Sequence, residues 1–248
     1  MSMPLADIKT IEEMNFNAWP SLMSVHLDGW LVRQTGGISR RVNSVNALGP
    51  GRLTLLERIE RSEELFRHWQ QRSVFRITPL VEPELEGLLA ERGYSVEAPT
   101  FVMSADVQAL EADARVKISE VFEPAWAAAS AQMRGLSSDE AAILSAQHRA
   151  IAVPTLWASV NPGDKATGIG VAAIERGWAG LHGIHVGKNE RRRGLARAIS
   201  ATLLSRAHAL GARNAWLQVE QANSAAIPLY KDLGFEVAWT YWHRVKKR

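Results

Sequence analysis

Val186-Gly-Lys-Asn-Glu-Arg191-Arg192-Arg193-Gly194-Leu195-Ala196-Arg197 stands between two apolar runs of different period. Residues 181–186 enter it as a short strand-like run. On the other side Leu195, Ala198, Ile199, Thr202 and Leu203 fall on one face of a helix. The stretch therefore reads as a strand, a tight basic turn and a helix start. The first amides of a helix have no partner inside it, and the helix dipole places about half a positive charge there. Gly194 allows close approach of the backbone, Ala196 keeps the next turn thin, and Arg191, Arg192 and Arg193 add full charges. The ligand this turn suits is a pyrophosphate. A solvated basic turn on a surface helix fits the same residues, so the residues beyond the helix decide between the two.

Gly211 is placed to end the helix. Ala215, Leu217 and Val219 then alternate with Trp216, Gln218 and Glu220, which predicts a strand. Asn223 is a cap residue for a second helix carrying Ala226, Leu229, Tyr230 and Leu233, which stops at Gly234-Phe235. A last alternating stretch covers 237–245.

This order resembles the GNAT superfamily of N-acetyltransferases. The family's phosphate-loop pattern, Gln/Arg-x-x-Gly-x-Gly/Ala, matches at Arg191, Gly194 and Ala196. Its later signature matches at Asn223, Leu229-Tyr230 and Gly234-Phe235. The close match covers residues 167–245. The resemblance implies acetyl-coenzyme A as cosubstrate and no metal. It implies that Arg191, Arg192, Arg193, Gly194, Leu195, Ala196 and Arg197 hold the pyrophosphate. The pantetheine would enter where strands 181–186 and 215–220 splay apart, with Val186 near the mouth. The N–H near Ile184 or His185 would polarise the thioester carbonyl, and Asn223 would bond the pantetheine or cap its helix. Tyr230 would be the general acid, since a phenol donates to a departing thiolate without being ionised at neutral pH.

The base is less legible. Many relatives carry a glutamate early in the strand before the phosphate loop; here that region reads Trp178-Ala-Gly-Leu-His182. Glu220, Glu175, His182 and a water chain stay open. His182 and His185 lie three positions apart, so on a regular strand they face opposite ways and at most one meets the cleft.

The 248 residues have room for one large domain or two small ones, and nine tryptophans supply large burial. With no cysteine there is no disulfide, thiolate nucleophile or cysteine-ligated metal. No window approaches a membrane span or a signal segment, so a cytoplasmic protein, monomer or homodimer, is the expectation. A net charge of +3 is mild and does not call for nucleic acid.

The chain also repeats itself. Leu88-Leu-Ala-Glu-Arg-Gly-Tyr94 with its β tail matches Leu229-Tyr-Lys-Asp-Leu-Gly-Phe235 with its own. A helix at 53–70 and a strand at 74–78 precede the first; 195–210 and 215–220 precede the second. The expectation is a mixed α/β protein of two tandem GNAT-like domains, 1–112 and 113–248. Each would be a twisted, mixed, mostly antiparallel sheet flanked by helices. The first half reads Asn46-Ala-Leu-Gly-Pro50-Gly-Arg-Leu53 before its long helix, and Leu89 stands at the position of Tyr230. It is therefore expected to be degenerate toward the coenzyme. Its polar stretches, 28–33 and 39–44 around Gly36-Gly37, suggest a hairpin on which Trp30, Arg33, Arg41 or Asn43 lines an acceptor pocket, or else a solvated hairpin over a core tryptophan.

These features together predict an N-acetyltransferase acting on a small-molecule amine or a peptide N-terminus by direct attack in a ternary complex. The alternatives are a coenzyme-binding sensor without turnover, favoured by the missing glutamate, and a purely structural protein.

Overall fold

A computed structural model describes residues 3–36, 39–161 and 166–247. The first half runs α1 (Leu5–Ala18), β1 (Met23–Leu27), β2 (Trp30–Gln34), β3 (Val45–Ala47), α2 (Leu55–His68), β4 (Val74–Ile77), α3 (Leu85–Glu91) and β5 (Tyr94–Asp106). The second runs β6 (Val116–Ser119), α4 (Pro124–Arg134), α5 (Ser138–Arg149), β7 (Thr155–Val160), β8 (Gly168–Glu175), β9 (Trp178–Val186), α6 (Leu195–Ala209), β10 (Asn214–Glu220), α7 (Ala226–Asp232) and β11 (Glu236–Lys246). No helix among the described residues is long and apolar enough to cross a membrane.

The fold is mixed α/β, and its strands form one sheet in the order β1-β2-β3-β4-β11-β5-β10-β9-β8-β7-β6. The loop between β5 and β6 contains the 112/113 division, yet the sheets on either side of it are continuous. They are joined by an exchange. β5, from the first half, pairs antiparallel with β10 of the second, Glu220↔Thr100 through Asn214↔Asp106. β11, from the second half, pairs antiparallel with β4 of the first. β5 and β11 are the counterparts in the repeat, and they pair with each other along the centre of the sheet. Among the described residues, only β3–β4 and β9–β10 pair in parallel.

Helices cover both faces. α6 packs Ala198, Ile199, Leu203 and Ala207 on Leu156, Ala172, Leu181 and Leu217, all buried. A fully buried aliphatic side chain of this kind contributes about 1.5–3 kcal/mol. α1 packs Ile8, Ile11 and Met14 on Trp216, Trp239 and Tyr241. α2 and α3 close the first half over Trp30, Phe75 and Tyr94. Glu12 of α1 and Arg76 of β4 form a buried ion pair at the seam, and the guanidinium of Arg76 lies 3.7 Å from the ring centre of Tyr241 on β11. The cost of burying both charges is offset by the bidentate geometry and the aromatic face.

The polar stretch of the first half differs from the expected hairpin. Trp30–Gln34 is a strand, but its hairpin partner is β1, through a turn at Asp28-Gly29. Residues 39–44 are not a strand: Arg40–Val42 form a single 3-10 turn before the chain rejoins the sheet at β3. Asn43 causes this. Its side chain accepts from the Thr35 N–H at 2.7 Å and donates to the Ser39 carbonyl at 2.7 Å, in place of ladder bonds. Gly37 lies outside the described residues.

Candidate active site

The basic turn forms as the strand and helix patterns require. After β9 a short 3-10 turn covers Lys188–Glu190, and α6 begins at Leu195. Gly194 occupies the N-cap with φ 74°, in the left-handed region, and Arg192 also has positive φ, 66°. Nothing stands within 4 Å of where a Gly194 Cβ would project. The cap therefore uses glycine for its backbone angle and for open space above it. No side chain caps α6, and its first turn carries no acid. Its first capping bond is Ala198 N–H to the Gly194 carbonyl at 3.0 Å, which leaves the preceding amides directed outward. Arg191, Arg192 and Arg193 are exposed around them; Arg193 pairs with Glu190 at 2.8 Å. A concave run of amides with alternating backbone hand is an anion-binding shape. Leu195 is buried under the turn, Ala196 is half-buried and Arg197 exposed.

β9 and β10 part as expected. Their parallel pairing runs from Asn214↔Trp178 to Leu217↔Leu181 and ends there. Past that point β10 stays with β5 and β9 with β8, so a gap opens between residues 182–186 and 218–220. Gly183, with φ 57°, makes a β-bulge here: between the pairs Val171↔His182 and Ile169↔His185, two residues of β9, Gly183 and Ile184, stand against one of β8, Gly170. The bulge overturns the expectation that His182 and His185 face opposite ways. The extra residue restores the parity, and both line one cavity, while Ile184 packs toward α6.

That cavity, of about 1050 Å³, spans the two halves. β9 contributes His182 and His185, β10 its end residue Glu220, β11 His243, and the first half Trp19, Arg41 and Asn43. His182 is stacked on Trp19 at 6.1 Å and meets Trp216 edge-on at 5.0 Å. Burial, with Arg41 adding to it, pushes its pKa down to about 3. That makes His182 a neutral wall of the site and a weak base, contrary to its candidacy. His185 is also lowered, by burial and then Arg134. His243 is held well below the usual range by burial, with Arg76 and Arg41 following. Nε2 of His182, Nδ1 of His185 and both ring nitrogens of His243 are buried without a partner. Glu220 is exposed and is the one carboxylate among the described residues lining the cavity.

Tyr230 lies on α7, its ring edge-on to Phe235 at 6.0 Å. Burial raises its pKa to about 12, and Arg41 opposes the rise, so the two side chains share one electrostatic neighbourhood. Asn223 accepts from the Ala226 N–H at 3.2 Å, one turn ahead of α7.

Two of the acceptor-pocket candidates sit elsewhere. Trp30 is buried in the first-half core, edge-on to Phe75 at 5.9 Å and under the Arg58 guanidinium. Arg33 is 1% exposed and donates to the carbonyls of Trp19 and Arg41; its burial lowers its pKa to about 9. It holds the cavity wall without lining it. The expected hairpin gave Trp30 and Arg33 a decorated face, whereas every residue of β2 is buried or half-buried. Trp19, Arg134 and His243 line the cavity and were not expected there. They come from a helix end, another helix end and the exchanged strand, so no local pattern links them. No group of three or more metal-ligating side chains occurs among the described residues.

The sequence and fold have relatives. A family model described as "Probable histone acetyltransferase Rv0428c C-terminal" matches residues 5–245. The "Uncharacterized N-acetyltransferase YobR" of Bacillus subtilis (strain 168) is 26% identical over 251 residues, covering 97% of this chain and 99% of that protein. A GCN5-related N-acetyltransferase from Kribbella flavida shares the fold at a TM-score of 0.70 and 17% identity, over 98% of this chain and 95% of that one. A tandem GNAT protein from the clavulanic acid biosynthesis pathway superposes with a TM-score of 0.58 at 13% identity, over 84% of this chain and 75% of that one.

Proposed function

The chain belongs to the acetyltransferase family of the Rv0428c C-terminal model, within the GNAT superfamily, and on that premise we propose that it transfers acetyl from acetyl-coenzyme A to a primary amine in a ternary complex. The observation that carries the reading is the uncapped start of α6, with three exposed arginines, at the point where β9 and β10 part beside the shared cavity.

The residues fit the coenzyme. The outward amides of 194–197 and the guanidinium groups of Arg191, Arg192 and Arg193 would hold the pyrophosphate. The gap bounded by Ile184, His185 and Val186 offers strand edges to the pantetheine amides, as an added strand would. When bound, the coenzyme supplies an acyl group already activated as a thioester, so the protein needs no nucleophile of its own.

The chain's own part is positioning and proton transfer. An alkyl ammonium must lose a proton before its nitrogen can attack, and Glu220, an exposed carboxylate of the cavity lining, would accept it, directly or through water. Tyr230, kept protonated by burial, would return a proton to the sulfur side. His182, His185 and Trp19 would hold the reacting centre away from bulk water as neutral surfaces.

The test is thiol release from acetyl-coenzyme A across a panel of amines, with Tyr230→Phe alongside. The substitution keeps the ring and removes one proton donor. It should lower kcat about 100-fold or more while coenzyme affinity is unchanged. Full activity in that variant would remove Tyr230 from the proton path, and no thiol from any amine would overturn the transfer itself.

A further inference from the structure

We propose that the acceptor is an amine that also carries a carboxylate, a small amino acid, held through that carboxylate by Arg41 from the first half and Arg134 from the second. The proposal rests on the transfer reading above and names its substrate class.

The cavity is strongly one-sided in charge. Arg40, Arg41, Arg72 and Arg134 line it against Glu220 alone. Two of these cations share one carboxylate outside the cavity lining. Arg40 donates to Glu97 through Nε at 3.0 Å, and Arg72 stands 3.6 Å from the other oxygen of the same carboxylate. Arg41 and Arg134 have no such partner: neither side chain makes an ion pair or a hydrogen bond among the described residues. Glu140 acts on Arg134 from the adjoining α5, but its carboxylate is committed to Ser137 in the cap of that helix. Both arginines are half-buried, and their influence reaches the cavity walls. Arg41 acts on His182, His243 and Tyr230; Arg134 acts on His185.

The histidines cannot serve as the counter-charge. They are neutral, and their unpartnered nitrogens present donors and acceptors without net charge. Two half-buried arginines that line one cavity without an anion are costly to hold, and planar forks of this kind match a carboxylate. Arg41 is also fixed in place: its backbone carbonyl accepts from the buried Arg33, and Asn43 pins the 3-10 turn that carries it. A polyamine or a lysine-rich segment would bring positive charge into a cavity that already has an excess. A carboxylate on the arginines leaves the ammonium end of the same molecule free to face Glu220.

The experiment compares α- and ω-amino acids with their carboxamides and with putrescine and spermidine as acceptors, in the full chain saturated with acetyl-coenzyme A. Each carboxamide keeps the amine and removes the carboxylate charge, and for the ω-amino acids it does so with little change in amine basicity. Acids should exceed their amides by about 10- to 100-fold in kcat/KM, through KM. Arg41→Gln should collapse that ratio toward one, while the Kd for coenzyme, measured by titration, stays put. Amides or polyamines used as well as acids would overturn the proposal. So would an Arg41→Gln variant that loses coenzyme affinity and keeps the acid preference, because the cation would then belong to the coenzyme. If no amine yields thiol, the transfer reading fails, and titration of the same panel into coenzyme-loaded protein decides this one. Acids binding where amides do not would uphold it, and neither binding would overturn it.

Discussion

The starts of α2 and α6 occupy matching places in the two halves and treat the same electrostatic problem in opposite ways. In the first half the free amides are met by the protein's own acids. Thr54 and Glu57 form a reciprocal capping box, with Glu57 accepting from the Thr54 N–H at 2.8 Å. Asp28 accepts from the Leu53 N–H at 2.7 Å, and the backbone bonds from Arg52 and Leu53 hold its carboxyl below the usual range. In the second half the matching place has no cap, no acid in the first turn, and three arginines. An internal anion thus fills in one half the kind of site that the other leaves to a ligand. Pro50 and the missing Arg-x-x-Gly-x-Ala spacing made the first half a poor coenzyme site from sequence. The structure adds that its helix start is already satisfied.

The halves are alike in origin on this reading, and the division into 1–112 and 113–248 is our proposal. The exchanged strands tie them into one sheet. The largest expected effect comes from the exchange of β5 and β11. Residues 113–248 alone would leave β11 without β4 and β5, and β10 without β5. That segment should show no cooperative unfolding transition, and co-expression with 1–112 should restore one. A cooperative transition in the isolated segment would show that the exchanged strands are dispensable to it.

Converting one helix start into the other comes next. Gly194→Asp places an accepting side chain at the N-cap of α6, where α2 has Thr54. Open space surrounds the site, so the side chain fits, although φ 74° suits it less than glycine. The new carboxylate should compete for the same amides and repel a pyrophosphate, weakening coenzyme binding by about 1–3 kcal/mol with the fold intact. Calorimetric titration reads this directly. Unchanged affinity in a folded variant would move the phosphate away from the turn.

The contrast also shows what a sequence displays. The strand, turn and helix around Gly194 are local, and each is marked by its own period or breaker. α6 was expected at 195–210 and ends at Ala209. β10 and β11 lie within a residue of their expected bounds, and β9 starts earlier than expected, at Trp178. The exchange of β5 and β11 left no local trace, because two strands of similar alternation can pair with either neighbour. The bulge at Gly183 was invisible for a related reason: one inserted residue shifts parity without changing composition. The cavity was the least legible part. Trp19, Arg134 and His243 reach it only through tertiary packing, and Asn43 bends its segment out of the expected hairpin.

The smallest expected effect tests the first half. Thr54→Ala removes one member of the capping box, freeing the Glu57 N–H that Thr54 Oγ1 now accepts at 3.2 Å. Stability should fall by about 0.5–2 kcal/mol, as for other lost caps, read as a lower denaturant midpoint with unchanged slope. Coenzyme stoichiometry should stay at one per chain. Exposing an amide does not create a phosphate site when Asp28 still occupies the neighbouring donors, Pro50 lacks an N–H, and no arginine triplet stands beside the turn. A second equivalent of coenzyme bound by Thr54→Ala would mean that the cap alone had been closing a competent site, and the two halves would then differ by far less than their turns suggest.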